Sequence, residues 1–283
     1  MRVSLIQLAV TDEETPHDRR GRVVELVQAE RDSGADLVVL PELWETGGFA
    51  YDKWRAAATP ISSTPAVSAL ANVRGEKMWL HTGSFVEAAP DGTMYNTSVL
   101  LGSGNVEARY RKIHRFGFDE GEATLMGAGE DVVTVPTPFG TFGLATCYDL
   151  RFPELFRVLL DAGMEQLVVC SAWPERRIEH WRILNRARAI ESQVFVFAAN
   201  CVGTHAGVTM GGRSVVVDPW GNIVAEAGTG EEVLRAEIDP ALVEQTRKAL
   251  PVLRDRRLPR TPLVIQTLPP NMPHPNPGAS NPR

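Results

Sequence analysis

The chain reads as one α/β sandwich domain, and three features of the sequence predict it. Short apolar runs alternate with longer amphipathic stretches at helical spacing, the pattern of a mixed sheet covered by helices. Two of those runs, Ala35-Asp36-Leu37-Val38-Val39-Leu40 and Leu167 to Ser171, are nearly continuous, as suits strands buried on both faces. A chain of 283 residues, 43% of them hydrophobic, can also bury a sizeable core without disulfide staples.

In chain order, the first ten residues predict a strand. Thr15 to Ser33 predicts a helix, because Val23, Val24, Leu26 and Val27 stand among charges at helical spacing and Gly34 ends the run. The strand from Ala35 to Leu40 stops at Pro41, which has no amide proton to continue a ladder. Ser63 to Val73 predicts a second amphipathic helix. Strands follow at Trp79 to Val86, Tyr95 to Leu101, Val132 to Val135 and Thr141 to Thr146, with Asp91-Gly92 as a hairpin turn between the first two. Pro153 suits the first position of a helix running to Ala162. Leu167 to Ser171 is a strand, Arg176 to Ser192 a charged amphipathic helix and Val194 to Ala199 a strand. Val208 to Val217, Ile223 to Glu226 and Val233 to Ile238 read as strands, and Pro240 opens a last helix to Leu250. We place the domain at residues 1–258. Residues 259–283, proline-rich and aperiodic, read as an extended or disordered arm.

Lys plus Arg number 29 and Asp plus Glu 35, a net charge of −6, which argues against a broad nucleic-acid footprint. The three cysteines, Cys147, Cys170 and Cys201, make neither a disulfide framework nor a paired metal-ligand motif, so a reducing compartment and no metal or cofactor are expected. The N-terminus makes a poor signal peptide, and no apolar run approaches membrane-spanning length. The expectation is a cytoplasmic protein with no membrane or nucleic-acid partner.

Chemistry could sit at three places. Glu42 in Pro41-Glu42-Leu43-Trp44 directly follows a buried strand, where ligands gather in open α/β sheets. It is either a solvated loop carboxylate or a pocket base. Lys112 in Arg111-Lys112-Ile113-His114 belongs to a basic patch, either a solvated loop or a source of positive charge for a developing oxyanion. His114 beside it reads as a packed histidine. Cys147 ends a strand just before a helix, where a nucleophile is exposed and backbone amides can hold an oxyanion; its competing reading is a buried, inert thiol. That inert reading is kept for Cys170 and Cys201. A thiol near pKa ~8.5 needs a base at neutral pH, and a carbonyl under attack needs positive charge at its oxygen. Glu, Lys and Cys would supply base, oxyanion partner and nucleophile without a histidine.

These motifs together resemble the nitrilase, or carbon–nitrogen hydrolase, superfamily. The resemblance rests on Pro41-Glu42-Leu43, Arg111-Lys112-Ile113-His114 and Cys147-Tyr148-Asp149-Leu150-Arg151-Phe152-Pro153-Glu154, extended by Ser171-Ala172-Trp173-Pro174, Arg186 to Glu191 and Ser214 to Gly221. It covers roughly residues 1–258. It implies an α-β-β-α sandwich, usually paired into a homodimer, with Glu42 as general base, Lys112 as oxyanion lysine and Cys147 as nucleophile. It also implies a second glutamate ahead of a glycine turn, Glu122 or its rival Glu120, and places Phe116, Tyr148 and Trp173 near the substrate.

The run after the cysteine is similar to the ω-amidases and deaminated-glutathione amidases. This implies a small-molecule amide substrate, cleaved to acid and ammonia through a thioester. An ω-amidase substrate carries a carboxylate, for which Arg115, Arg151, Arg176 and Arg177 are candidate partners. Arg151 could instead be structural, while Arg188 and Glu191 are spaced for an i,i+3 pair within a helix. Alternatives are a deaminated-glutathione amidase, an N-carbamoyl amidohydrolase and, from a different class, a catalytically silent binding protein on this fold.

Overall fold

Two six-stranded mixed sheets pack face to face between helices in the computed structural model, which describes residues 1–102 and 106–257. The first sheet runs, in spatial order, β14 (Glu232–Glu237), β1 (Arg2–Gln7), β2 (Leu37–Val39), β3 (Trp79–Ala88), β4 (Met94–Leu101) and β5 (Val106–Arg111). The second runs β13 (Ile223–Glu226), β12 (Val215–Val217), β9 (Phe195–Asn200), β8 (Gln166–Ser171), β7 (Gly140–Thr146) and β6 (Thr134–Thr137). Each sheet has a parallel central trio, β1-β2-β3 or β7-β8-β9, flanked by antiparallel strands. Parallel neighbours require crossovers. In the first sheet these are α1 (Pro16–Asp32), then α2 (Tyr51–Ala57) with α3 (Pro65–Val73); in the second they are α5 (Pro153–Asp161) and α6 (Ile178–Ser192). The short α4 (Glu122–Leu125), the hairpin β10 (Thr204–His205) and β11 (Val208–Thr209), and α7 (Leu242–Ala249) complete the described elements.

Alternation along the strands sorts the core into layers. Val3, Leu5, Leu37 and Val39 meet Phe142, Leu144, Phe195 and Phe197 between the sheets. On the outer face of the first sheet, Ile6, Val38 and Leu40 pack on Val23 and Val27 of α1 and Leu70 of α3. On that of the second, Leu167, Val169 and Val196 pack on Leu155, Phe156 and Trp181 of α5 and α6. Each such side chain contributes about 1.5–3 kcal/mol by leaving water. The result is the α-β-β-α sandwich the sequence implied.

Differences from the sequence reading have local causes. The helix α2 has no side-chain cap, so its start carries no signal; it is held from the tertiary side by buried Trp54. The basic patch beginning at Arg109 is not a solvated loop: its first half is strand β5, with Tyr110 buried and Arg109 exposed. The single strand expected from Val208 to Val217 is split, because Gly212 and Arg213 both adopt positive φ (61° and 57°), which ends a ladder. The last helix turn before α6 is a 3₁₀ turn, Glu175–Arg177. Cys201 lies one residue beyond β9. One compact unit spans Met1–Leu250; in the stretch after it, the Arg254 amide donates to the Pro251 carbonyl at 3.1 Å. The arm expected at 259–283 lies outside the described residues.

Candidate active site

Three strand ends converge. Glu42 lies three residues beyond β2, Lys112 directly follows β5, and Cys147 directly follows β7. Each of these turns is built by local chemistry. After Glu42 the chain reverses at Leu43, which sits at φ 44°, and the Leu43 amide donates to Ser84 Oγ at 3.1 Å. This turn packs so closely on Gly83 (φ 70°) that a Cβ there would lie 2.0 Å from the Pro41 carbonyl oxygen. The Glu42 amide donates across to Ser171 of the second sheet, joining the two sheets at the site.

Cys147 itself has φ 46°, a left-handed conformation that a non-glycine residue holds only when its surroundings impose it. The imposing contacts are a capping box, in which Thr146 and Asp149 satisfy each other's amides. Asp149 also accepts from Tyr110 Oη at 2.7 Å and from the His114 amide and Nδ1 at 3.0 and 2.8 Å. One buried carboxylate therefore ties the cysteine turn to the segment that carries Lys112. His114 stacks on Phe152 with ring centroids 3.8 Å apart and is a packing residue, as read from sequence.

The polar floor is continuous. Lys112 Nζ donates to Glu42 Oε1 at 2.7 Å and to Glu122 Oε2 at 2.6 Å, and all three side chains are buried. Asn96 on β4 donates to Glu42 Oε1 at 2.8 Å and to Glu122 Oε1 at 2.5 Å. The Ala172 amide holds Glu42 Oε2 at 2.9 Å, and the Phe116 amide holds Glu122 Oε2 at 2.8 Å. Glu122, not the exposed Glu120, reaches the lysine. Sequence reasoning missed Asn96. Its only signal was a poor strand former in the middle of a strand.

Glu42, Lys112, Glu122 and Cys147 all line the cavity above this floor. Phe116, Tyr148 and Trp173, the three aromatics named from sequence, form walls, with Phe116 and Tyr148 in edge contact at 5.4 Å. Of the four arginine candidates, Arg151 and Arg177 line the cavity. Arg115 is instead committed to the Ala123 and Met126 carbonyls, and Arg176 is exposed. Arg188 pairs with Glu191 at 2.6 Å, i,i+3, as expected.

Burial sets the protonation states. It pushes the Cys147 thiol well above its ordinary value; the Glu42 charge adds to this and the Lys112 charge opposes it. Burial alone would lower Lys112, but the charges of Glu122 and Glu42 prevail and hold it well above the ordinary lysine value. Glu122 is raised by burial and by Glu42, against the pull of Lys112. Burial thus favours the neutral thiol of Cys147, while the two glutamates favour the ammonium of Lys112.

Among the described residues, no group of His, Cys, Asp and Glu is arranged to hold a metal ion, and no helix is long and apolar enough to cross a membrane. The carbon–nitrogen hydrolase family profile matches residues 2–248. With that match and this geometry, the chain belongs to the carbon–nitrogen hydrolase family, the nitrilase superfamily. It is 43% identical over 263 residues to a 2-oxoglutaramate amidase of Paenarthrobacter nicotinovorans, covering 90% of this chain and 89% of the relative. Among solved structures, it is similar to Nit3 of Saccharomyces cerevisiae, a branch 10 member of the superfamily, with TM-score 0.83 and 32% identity over 91% of this chain and 97% of that one. It is also similar to an amidase of Nesterenkonia sp. AN1, a variant with the acetamide moiety of fluoroacetamide added covalently to its active-site cysteine. That match has TM-score 0.76 and 25% identity over 90% of this chain and 96% of that one.

Proposed function

We propose that this carbon–nitrogen hydrolase is an ω-amidase acting on a 2-oxo acid amide such as 2-oxoglutaramate, through a thioester on Cys147. The observation that carries the reading is the convergence of Cys147, Glu42 and Lys112 in one cavity from three separate strand ends. The 2-oxoglutaramate amidase relative supports the substrate class. Because burial favours the neutral thiol, Glu42 removes its proton as sulfur attacks the amide carbonyl. The oxyanion is held by Lys112 Nζ and by the Tyr148 amide in the first turn after the cysteine, where backbone donors lack helical partners. Glu42 returns the proton to the departing ammonia, leaving an acyl thioester. Glu42 then deprotonates a water that attacks the thioester, and the released thiolate is reprotonated as the acid leaves. Glu122 and Asn96 hold Lys112 and Glu42 in register throughout.

Ammonia release measured across amides, ureas and nitriles tests this reading. The specificity constant for 2-oxoglutaramate is expected to exceed those for simple aliphatic amides and nitriles; equal or reversed values defeat it. The working unit we propose is a homodimer formed through the outer face of α6. Ile183 and Ile190 are exposed there, and Gly221, next to exposed Trp220, packs on Ile190. Light scattering of an Ile183→Asp, Ile190→Asp variant should report a monomer. Three free cysteines fit a cytoplasmic setting.

A further inference from the structure

Two guanidinium groups, those of Arg151 and Arg177, line the cavity without an ion-pair partner among the described residues. Elsewhere, several arginines that leave water pair with a carboxylate, Arg19 and Arg22 with Glu14, Arg111 with Glu87 and Arg188 with Glu191, while others, such as Arg115 and Arg247, are satisfied by backbone carbonyls. In the cavity wall, Arg151 meets the His180 ring nitrogen at 3.2 Å and lies over Trp173 at 4.8 Å, which orients it. Arg177 lies over the Phe116 ring at 5.2 Å, and among the described residues its guanidinium has neither an ion-pair nor a hydrogen-bond partner. Its backbone is not loose. Trp173 Nε1 donates to the Arg177 carbonyl at 2.8 Å, and the Trp173 amide is anchored on Asn200 Oδ1 at 2.7 Å. The cation is thus held on a rigid stretch of wall, half-buried and facing a space that a ligand must enter. Partial burial, then the charges of Arg176 and Arg151, weigh against its cationic form, so an arriving anion relieves an existing strain.

We propose that Arg177 is a specificity-determining residue: its guanidinium receives the carboxylate at the end of the substrate remote from the scissile amide, while Arg151 is held in place beside it. This rests on the ω-amidase reading and sharpens it. The substrate class becomes amides with an anionic far end, and the aromatic ring of Phe116 supplies the platform on which the guanidinium stays planar to the incoming carboxylate. Arg115 and Arg176, equal candidates in the sequence, are excluded by their bonding and exposure.

The test compares kcat/KM for 2-oxoglutaramate with that for pentanamide, a neutral amide of matched length, in the wild type, Arg177→Met and Arg177→Lys. Loss of a charge-assisted contact is expected to lower the acid-to-neutral ratio by about 10- to 100-fold in Arg177→Met, chiefly through KM, with partial recovery in Arg177→Lys. Calorimetric titration of 2-oxoglutarate into Cys147→Ala, with and without Arg177→Met, should show the same loss without relying on turnover. If the wild type favours 2-oxoglutaramate and neither the ratio nor the binding changes in Arg177→Met, the assignment of Arg177 is overturned and the ω-amidase reading stands. If the wild type shows no preference for the acid amide, both fall.

Discussion

Cys147 and Cys170 stand on neighbouring strands of one sheet. In the parallel register of β7 and β8, Cys170 is the partner of Thr146, the residue before Cys147. Both side chains are buried, and burial pushes both thiols up. By depth and acidity alone, the two could not be told apart. They differ in backbone and in company. Cys170 stays inside its strand, its sulfur 3.5 Å from Thr146 Oγ1, and does not line the cavity. Cys147 has left the strand for a left-handed turn and faces Glu42 and Lys112 across the cavity. The pair teaches that position, not acidity, separates the two thiols; in the mechanism proposed above, a base and a cation surround the Cys147 thiol and the proton leaves as the sulfur attacks.

The comparison can be broken most directly at the sulfurs. Cys147→Ala is expected to lower amide turnover by about 10⁴-fold or more with an unchanged melting temperature, whereas Cys170→Ala should keep its turnover and lose about 1 kcal/mol of stability. Activity surviving the first substitution, or vanishing in a folded Cys170→Ala protein, would contradict the account. A sharper test removes the base and leaves the sulfur. Glu42→Gln should cost about 10²–10⁴ in kcat and slow iodoacetamide capture of Cys147, read by mass spectrometry, while Cys170 stays unlabelled in the native protein.

Asn96 comes next in size. It touches neither sulfur but bridges Glu42 and Glu122, so Asn96→Ala should lower kcat by about tenfold with little change in KM. A loss confined to KM would remove its positioning role. The smallest effect on turnover is expected at His81, whose Nδ1 accepts from the Gly83 amide beneath the Glu42 turn. Burial lowers its pKa from 6.5 to about 4. A folded value below the unfolded one means that the neutral ring contributes stability above pH 6.5, and that this is lost as pH falls toward 4. The loss is about 3 kcal/mol, since each pKa unit is worth about 1.4. Denaturant titrations of His81→Asn over this range should be flatter than those of the wild type; parallel curves would refute the assignment.

Much of this was legible in the chain. The strands around Leu37 to Val39 and Leu167 to Ser171 announced themselves because burial on both faces demands apolar residues throughout. The helix α1 showed itself in the helical spacing of its apolar residues and in the Gly34 stop, and Pro153 marked a helix start, both being local rules of the chain. The cysteine turn was readable because the strand end at Thr146 and the helix start at Pro153 lie close together, although the capping box that shapes it was seen only in the structure. The strand β5, at a sheet edge, was hidden by its run of charges: Arg109 is exposed there, and the sequence around it mimics a loop.

By itself, then, the sequence determined the alternation of elements, because period and turn chemistry operate over a few residues, while the layered fold and the choice of Glu42, Lys112 and Cys147 as candidates came from the resemblance that three short motifs carry. Only the tertiary structure decided which glutamate meets Lys112, that Asn96 joins the two carboxylates and which arginines face the cavity. Those choices depend on sheet register and on how loops cross the strand ends. They bring together groups 10 to 70 residues apart, and no local pattern encodes such a meeting.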